Sequence, residues 1–269
     1  MEYLENKFNT IVVGAGHAGC EAALAAANLG LKVLLCSLNL DNIALMPCNP
    51  AIGGPAKSTL VREIDALGGA MGEVTDATYI QMKMLNSSKG PAVRALRAQS
   101  DKKEYMAYMR NIIEKNPNIY LKQCCITQLL TKNGRVNGAV DQYGIEYYAP
   151  TVILTTGTSL NGRIFVGLNA YEAGRLGEMP AVGLSDSLKK LGFTVKKLKT
   201  GTPARVDSRT IDYSKMTIQP GDEELNFYSF KPNRPIRAQV PCYLTRTNEK
   251  NPRNYQGEFG QITYVSGLD

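Results

Sequence analysis

One stretch limits what this chain can fold into more than any other. Ile11-Val12-Val13 runs into Gly14-Ala15-Gly16-His17-Ala18-Gly19 and then into an alanine-rich segment ending at Leu29. A Gly-x-Gly-x-x-Gly pattern arises by chance when it stands alone. Between a β-branched strand and a helix it has the setting in which it binds a dinucleotide. Gly14 permits the tight turn, Gly16 lets the backbone approach a pyrophosphate, and Gly19 lets helix and strand pack closely. The helix, expected over 18–29, aims its unpaired amides and positive end at the phosphates. Gly30 closes it as a C′ glycine, and 31–35 reads as the second strand of a βαβ unit. The competing reading is a glycine-rich turn with no ligand. Strand, helix, Gly30 and strand in that order weigh against it.

The carboxylate that usually ends the second strand and holds the ribose hydroxyls is missing. Cys36 and Ser37 stand there, and Asp41 comes several residues late. This weakens an NAD reading. It leaves room for a flavin dinucleotide whose adenosine end rests on backbone and on Ser37.

The 269 residues suffice for one large or two modest domains. No stretch is long and apolar enough to span a membrane. The acidic start, with Glu2 and Glu5, is unlike a secretory signal or transit peptide, so a cytoplasmic protein is expected. His17 is the only histidine, and the six cysteines form no Cys-x-x-Cys pair. A zinc site and a Ser-His-Asp triad therefore lack their parts. Cys20, Cys36 and Cys124 fall in helix or strand patterns and read as core thiols. The net charge of +7 is compatible with a polyanionic partner and equally with a solubilising surface.

Along the chain, Asn39 to Gly54 reads as a long loop shaped by Pro47, Pro50 and two glycines. A helix is expected from Pro55 to Leu67, with Leu60, Val61, Ile64 and Leu67 on one face. Thr78 to Leu85 alternates as a strand. Asn86 to Gln99, rich in small and basic residues, reads as a loop that contacts a charged ligand or as a solvated connection. Asp101 and Glu104 resemble a capping box; Tyr105, Met109, Ile112 and Ile113 point inward along the helix that follows, which stops before Pro117. Strands over 119–122, 126–131 and 135–141 follow, the last two joined by an Asn133-Gly134 turn. Short strands over 146–149 and from Thr151 come next. Beyond Asn161 a helix is expected over 185–191 capped by Ser185, then a basic strand over 194–199. The part from about Asp207 to Asn251 reads as an irregular insertion. Its Lys231, Arg234, Arg237 and Arg246 alternate with Tyr228, Phe230 and Tyr243. That mixture suits an RNA surface and suits a half-buried subdomain equally.

Cys48 stands apart from the other cysteines. It lies in an irregular loop, and the helix start near Gly54 together with Lys57 would favour its thiolate. The alternative is an inert loop cysteine.

Four segments carry a family resemblance. They are Gly14 to Ala23; Cys48-Asn49-Pro50-Ala51-Ile52-Gly53-Gly54 with Leu60 to Gly69; Ser88 to Arg94 with Arg97-Ala98-Gln99; and Leu198-Lys199-Thr200-Gly201-Thr202-Pro203-Ala204-Arg205. Together they resemble the MnmG family, also called GidA, of FAD-dependent tRNA uridine 5-carboxymethylaminomethyl modification enzymes. The likeness covers about residues 8–250, and Asn251 to Asp269 matches no known pattern.

The resemblance implies an α/β fold: an FAD-binding, doubly wound sheet of the Rossmann-like, glutathione-reductase type, with a β-meander and an α+β insertion subdomain. It implies a dinucleotide domain over 1–160 and a substrate subdomain over 161–269. It implies modification of the wobble uridine of tRNA with FAD, NADH and methylene-tetrahydrofolate, in a homodimer working with a GTPase called MnmE. The family's phosphate loop falls on Gly14, Ala15, Gly16, His17, Ala18 and Gly19. A backbone contact to the adenine end falls on Ile126. Another FAD contact, usually a serine, falls on Ala181, where only a backbone contact is possible. One of two functional cysteines falls on Cys48. Family members are more than twice as long. The second cysteine, a nicotinamide-contacting segment, the returning FAD-domain strand and the GTPase-docking helical domain are expected beyond this sequence, so an N-terminal part is expected here. Two other readings are a folate- and FAD-dependent tRNA uridine methyltransferase and a non-catalytic flavin- or RNA-binding module.

Overall fold

The computed structural model of the chain describes residues 6–167, 169–231 and 235–246. Strand β1 (Thr10–Val13) leads into helix α1 (His17–Asn28) and strand β2 (Val33–Ser37). An excursion follows: β3 (Ala51–Gly53), α2 (Ser58–Ala66), α3 (Met71–Thr78), β4 (Tyr79–Leu85), β5 (Ala95–Ser100) and α4 (Lys102–Lys115). The chain then returns through β6 (Ile119–Gln123), a meander of β7 (Ile126–Lys132), β8 (Arg135–Asp141) and β9 (Glu146–Tyr148), and β10 (Thr151–Leu154). Beyond lie a hairpin of β11 (Arg163–Val166) and β12 (Asn169–Glu172), helix α5 (Leu184–Lys190), and a mostly irregular part with β13 (Thr217–Gln219) and β14 (Cys242–Leu244).

The organising sheet is parallel, in the order β10-β1-β2-β6. The chain winds from β1 outward to β2 and β6, then comes back to lay β10 on the other side of β1. That reversal opens a crevice at the carboxyl ends of β1 and β10, where doubly wound sheets bind ligands.

Side chains alternate across a strand, and here the alternation sorts two cores. Val12, Val33 and Leu35 face one way, into a cluster with Cys20, Ala23 and Leu24 of α1 and Tyr105, Met109 and Ile113 of α4. Ile11, Val13, Leu34 and Cys36 face the other way, against Ile126, Ala139 and Tyr147 of the meander and Leu184 of α5. Both faces of β1 and β2 are thus covered, which is why these strands read as unbroken apolar runs. Met109 and Ile113 are wholly buried, each contributing roughly 1.5–3 kcal/mol.

Local signals explain most boundaries. Gly30, at φ 79°, ends α1 in a Schellman motif: its amide donates to Ala27 O and that of Leu31 to Ala26 O. Asn133 and Gly134, both at positive φ, turn β7 into β8. Asp101 caps α4 by accepting from the amides of Lys103 and Glu104 at 2.8 and 3.0 Å. Glu104 does not close the capping box. Its carboxylate pairs with Arg237 at 2.6 Å instead.

Several expectations need correction. The second strand sits two residues later than 31–35. Helix α2 starts at Ser58 rather than Pro55, and Leu60 and Leu67 are exposed; its buried face is Ser58, Val61 and Asp65. Helix α3 was not foreseen, because Met71 to Thr78 has little apolar period. Its start is capped from elsewhere: the Glu21 carboxylate accepts from the amides of Ala70 and Met71. The stretch over 86–99 is a loop only in its first part, since β5 pairs antiparallel with both β3 and β4. Helix α5 is capped by Gly183, with Ser185 buried inside its first turn. Residues 194–199 are exposed and form no strand.

The insertion is tied to the β3–β5–β4 sheet. Tyr228 is buried, its hydroxyl 3.0 Å from Ile52 O and 2.7 Å from Leu96 O. Gln81 donates to Gln219 O and Val240 O. Lys231 pairs with Glu73 and Arg237 with Glu104. Tyr228 and Arg237 fit the half-buried-subdomain reading, whereas Phe230, Lys231, Tyr243 and Arg246 are exposed and leave the RNA-surface reading open. Arg234, Thr247 to Lys250 and Asn251 to Asp269 lie outside the described residues.

Candidate functional site

The glycine loop is built by close approach. Gly14 has φ 103°, and a Cβ there would strike the carbonyl of Thr155 at the end of β10. A Cβ on Gly19 would collide with the carbonyl of Gly14. Thr155 fastens the turn, its hydroxyl 3.0 Å from Val13 O and 2.9 Å from Gly14 O. Gly16 differs: a Cβ there meets nothing within 4 Å. Two glycines therefore serve packing, and the third keeps a space open at the start of α1. The first amides of any helix lack partners within it, so this space suits an anion.

Ala15 is buried, its carbonyl accepting from Ala44 N at 2.9 Å, while Ala18 is exposed. His17 lies edge-on to Tyr105, with ring centroids 5.5 Å apart. Its Nδ1 and the Tyr105 hydroxyl are buried without a hydrogen-bond partner among the described residues. Burial, and then the charge of Arg175, hold the His17 imidazole below its ordinary pKa. Arg175 is itself fixed by Glu178 at 2.5 and 2.8 Å, and Glu178 accepts from Asn42 at 2.5 Å. Nothing in the sequence pattern marked Arg175, Glu178 or Asn42, because their meeting depends on a contact across 136 positions.

At the far end of the crevice, Ser37 donates its hydroxyl to Asn39 O at 2.9 Å, and its carbonyl accepts from Cys124 N. Ile126 is buried at the start of β7. Ala181 lies on a neighbouring segment: the amide of Val182 approaches the Cys125 thiol, and Gly183 packs on Thr127. The Ala181 amide already donates to Ser159 O at 2.8 Å and its carbonyl accepts from Asn161 N at 2.9 Å. A donor contact from this backbone to a ligand is closed. The second lone pair of the carbonyl is what remains.

Cys48 is half-buried, and the fourth sequence motif covers it. Its sulfur is 3.8 Å from Gly201 O and 3.7 Å from Thr202 Oγ1. Strand β3 separates Cys48 from α2, and Lys57 is the cap residue of that helix. The cations that reach the Cys48 loop are Lys102, at 2.8 Å from Met46 O and 3.2 Å from Cys48 O, and Arg205, at 3.3 Å from Pro47 O and 3.2 Å from Cys48 O. Burial, and next Arg205, lower the pKa of Lys102, while Cys48 acts in the opposite sense.

Helix α4 joins the two halves of the site. Lys102, its first residue, holds the Cys48 loop, and Tyr105, three residues on, packs against His17. Residues at i and i+3 share a helix face, about 4.5 Å apart along the axis at 1.5 Å per residue.

Residues 9–268 match the family model described as glucose inhibited division protein A. The match runs well past residue 250, which corrects the expectation that the pattern stops there. The chain is 55% identical over 264 residues to the tRNA uridine 5-carboxymethylaminomethyl modification enzyme MnmG of Geobacter sulfurreducens, covering 98% of this chain and 42% of that protein. Its identity to the MnmG of Geobacillus thermodenitrificans is 53% over 253 residues, covering 94% of this chain and 40% of that protein. The structure of Aquifex aeolicus GidA superposes with a TM-score of 0.90 at 46% identity, covering 94% of this chain and 43% of that one. The chain thus spans about two fifths of the length of these relatives. By the extent of these matches, the chain belongs to the glucose inhibited division protein A family.

Proposed function

We propose that this chain forms the N-terminal, flavin- and thiol-bearing part of an enzyme that installs the carboxymethylaminomethyl group at C5 of the wobble uridine of tRNA. The relatives at 53% and 55% identity are both named for that modification, which favours it over the methyltransferase. In this reading Gly14 to Gly19 hold the diphosphate of FAD, with Gly16 leaving it room and the α1 amides donating to it. The backbone at Ile126 takes the adenine end, and Ala181 contributes through its carbonyl. Bound flavin supplies hydride chemistry that side chains lack. NADH and methylene-tetrahydrofolate would provide reducing power and the carbon unit. The MnmE-type GTPase and a second copy of the protein would complete the assembly.

Cys48 supplies the nucleophile. Carbon 5 of uracil is a poor nucleophile by itself. A thiolate that bonds to C6 pushes the ring's electron pair onto C5 and O4 and lets C5 attack an electrophilic carbon unit. Loss of the C5 proton then expels the thiolate and restores the ring. The observation that carries the reading is the link through α4: the helix that steadies the Cys48 loop at Lys102 packs on the glycine loop at Tyr105.

The test is Cys48→Ser in the complete protein, with nucleosides of the tRNA identified by mass spectrometry and flavin content read by absorbance. The expected result is loss of the modified nucleoside at unchanged flavin content. Full modification by the variant would overturn the assignment, and joint loss of flavin and modification would make Cys48 structural.

A further inference from the structure

We propose that Lys102 and Arg205 are positioning residues for Cys48, together fixing its backbone and setting a positive field at its sulfur. The proposal rests on the reading of Cys48 as the reactive thiol. Both cations bond the same acceptor, the Cys48 carbonyl, at 3.2 Å each. They are therefore no farther apart than twice that distance, and they repel one another. Each is also tied to a second carbonyl of the loop, Met46 O for Lys102 and Pro47 O for Arg205.

Three features oppose holding the cations there. Lys102 is the first residue of α4, where the positive end of the helix disfavours a cation. It is half-buried. Among the described residues, neither Lys102 nor Arg205 has a carboxylate within ion-pair distance. Two cations on the Cys48 carbonyl, neither paired with a carboxylate among the described residues, favour an anion that approaches the neighbouring sulfur. The two come from opposite ends of the site, Lys102 from α4 and Arg205 from the segment that covers the thiol. The field is complete only when that segment is in place.

The experiment compares the alkylation of Cys48 by iodoacetate, an anion, and iodoacetamide, a neutral reagent of similar size. Modification at Cys48 is followed by peptide mass spectrometry in the chain and in Lys102→Met and Arg205→Met. The neutral reagent reports access to the sulfur; the ratio of the two rates reports the field. Each Met variant is expected to lower the iodoacetate-to-iodoacetamide ratio roughly 3- to 10-fold at low ionic strength, and Lys102→Arg to retain it. An unchanged ratio in both folded Met variants would overturn the proposal. So would equal losses in Lys102→Met and Lys102→Arg, which would show that shape matters and charge does not. Should the variants fail to fold, the unsubstituted chain still decides: its ratio is expected to fall as salt is raised, and a flat response would overturn the proposal. No tRNA takes part, so failure here is separable from failure of Cys48→Ser to abolish modification.

Discussion

The sulfur of Cys48 lies 3.7 Å from the hydroxyl oxygen of Thr202, although 154 positions separate them in the chain. The two belong to different sequence motifs, and the contact is what makes those motifs one site. A thiol placed at Thr202 would fall within bonding reach after small adjustment. Thr202→Cys is expected to give a disulfide with Cys48 on mild oxidation, found by peptide mapping without reductant. Failure to form it, with both thiols free, would contradict this placement of the 200–205 segment.

The glycine loop separates packing glycines from the open one. Gly19→Ala forces a methyl group into the Gly14 carbonyl and is expected to cost more than about 2 kcal/mol of stability. Gly30→Ala meets nothing but the strain of φ 79° and is expected to cost about 1 kcal/mol. Urea unfolding of the two variants measures the difference.

Tyr228 pins the insertion to the sheet. Tyr228→Phe removes the single hydroxyl proton shared between Ile52 O and Leu96 O, although Leu96 O keeps its bond from Gly54 N at 2.7 Å. The expected loss is about 1–3 kcal/mol, and limited proteolysis is expected to cut the insertion first. Unchanged stability and protection would contradict the anchoring role.

His17 gives a pH dependence with a definite sign. Its folded pKa lies below 6.5 because burial, and then Arg175, oppose the charged form. The unfolded chain therefore binds the proton more readily, and stability falls as pH drops below about 6.5 until the folded pKa is passed. The slope from this one group is at most about 1.4 kcal/mol per pH unit. Urea unfolding at pH 7.5 and 5.5 is expected to show that part of the loss in the parent and not in His17→Gln.

How much of this was legible beforehand follows from the range of each interaction. The β1–α1–β2 unit could be read because its signals are local: a β-branched run, three glycines and a C′ glycine. The meander was read from period-2 strands and the Asn133-Gly134 turn. Helix α3 was missed because its cap, Glu21, lies some fifty residues away. Strand β5 was missed because small and basic residues masked a register fixed by β3 and β4 on either side. The faces of α2 were misassigned because Asp65 turns inward to accept from Phe230 N at 2.8 Å, a contact across 165 positions. Cys48 could be singled out with Lys57, which is near in sequence, whereas Lys102 and Arg205, near only in space, could not.

The most direct test of the central claim uses Gly16→Val. A Cβ at Gly16 meets no protein atom within 4 Å, so the backbone there has room for a side chain, which occupies the space assigned to the diphosphate. Visible absorbance of the chain titrated with FAD, against the variant under the same conditions, is the measurement. Saturable flavin binding by the parent that is lost in a folded Gly16→Val is the result predicted. Equal binding by the two, or none by the parent, would contradict the account.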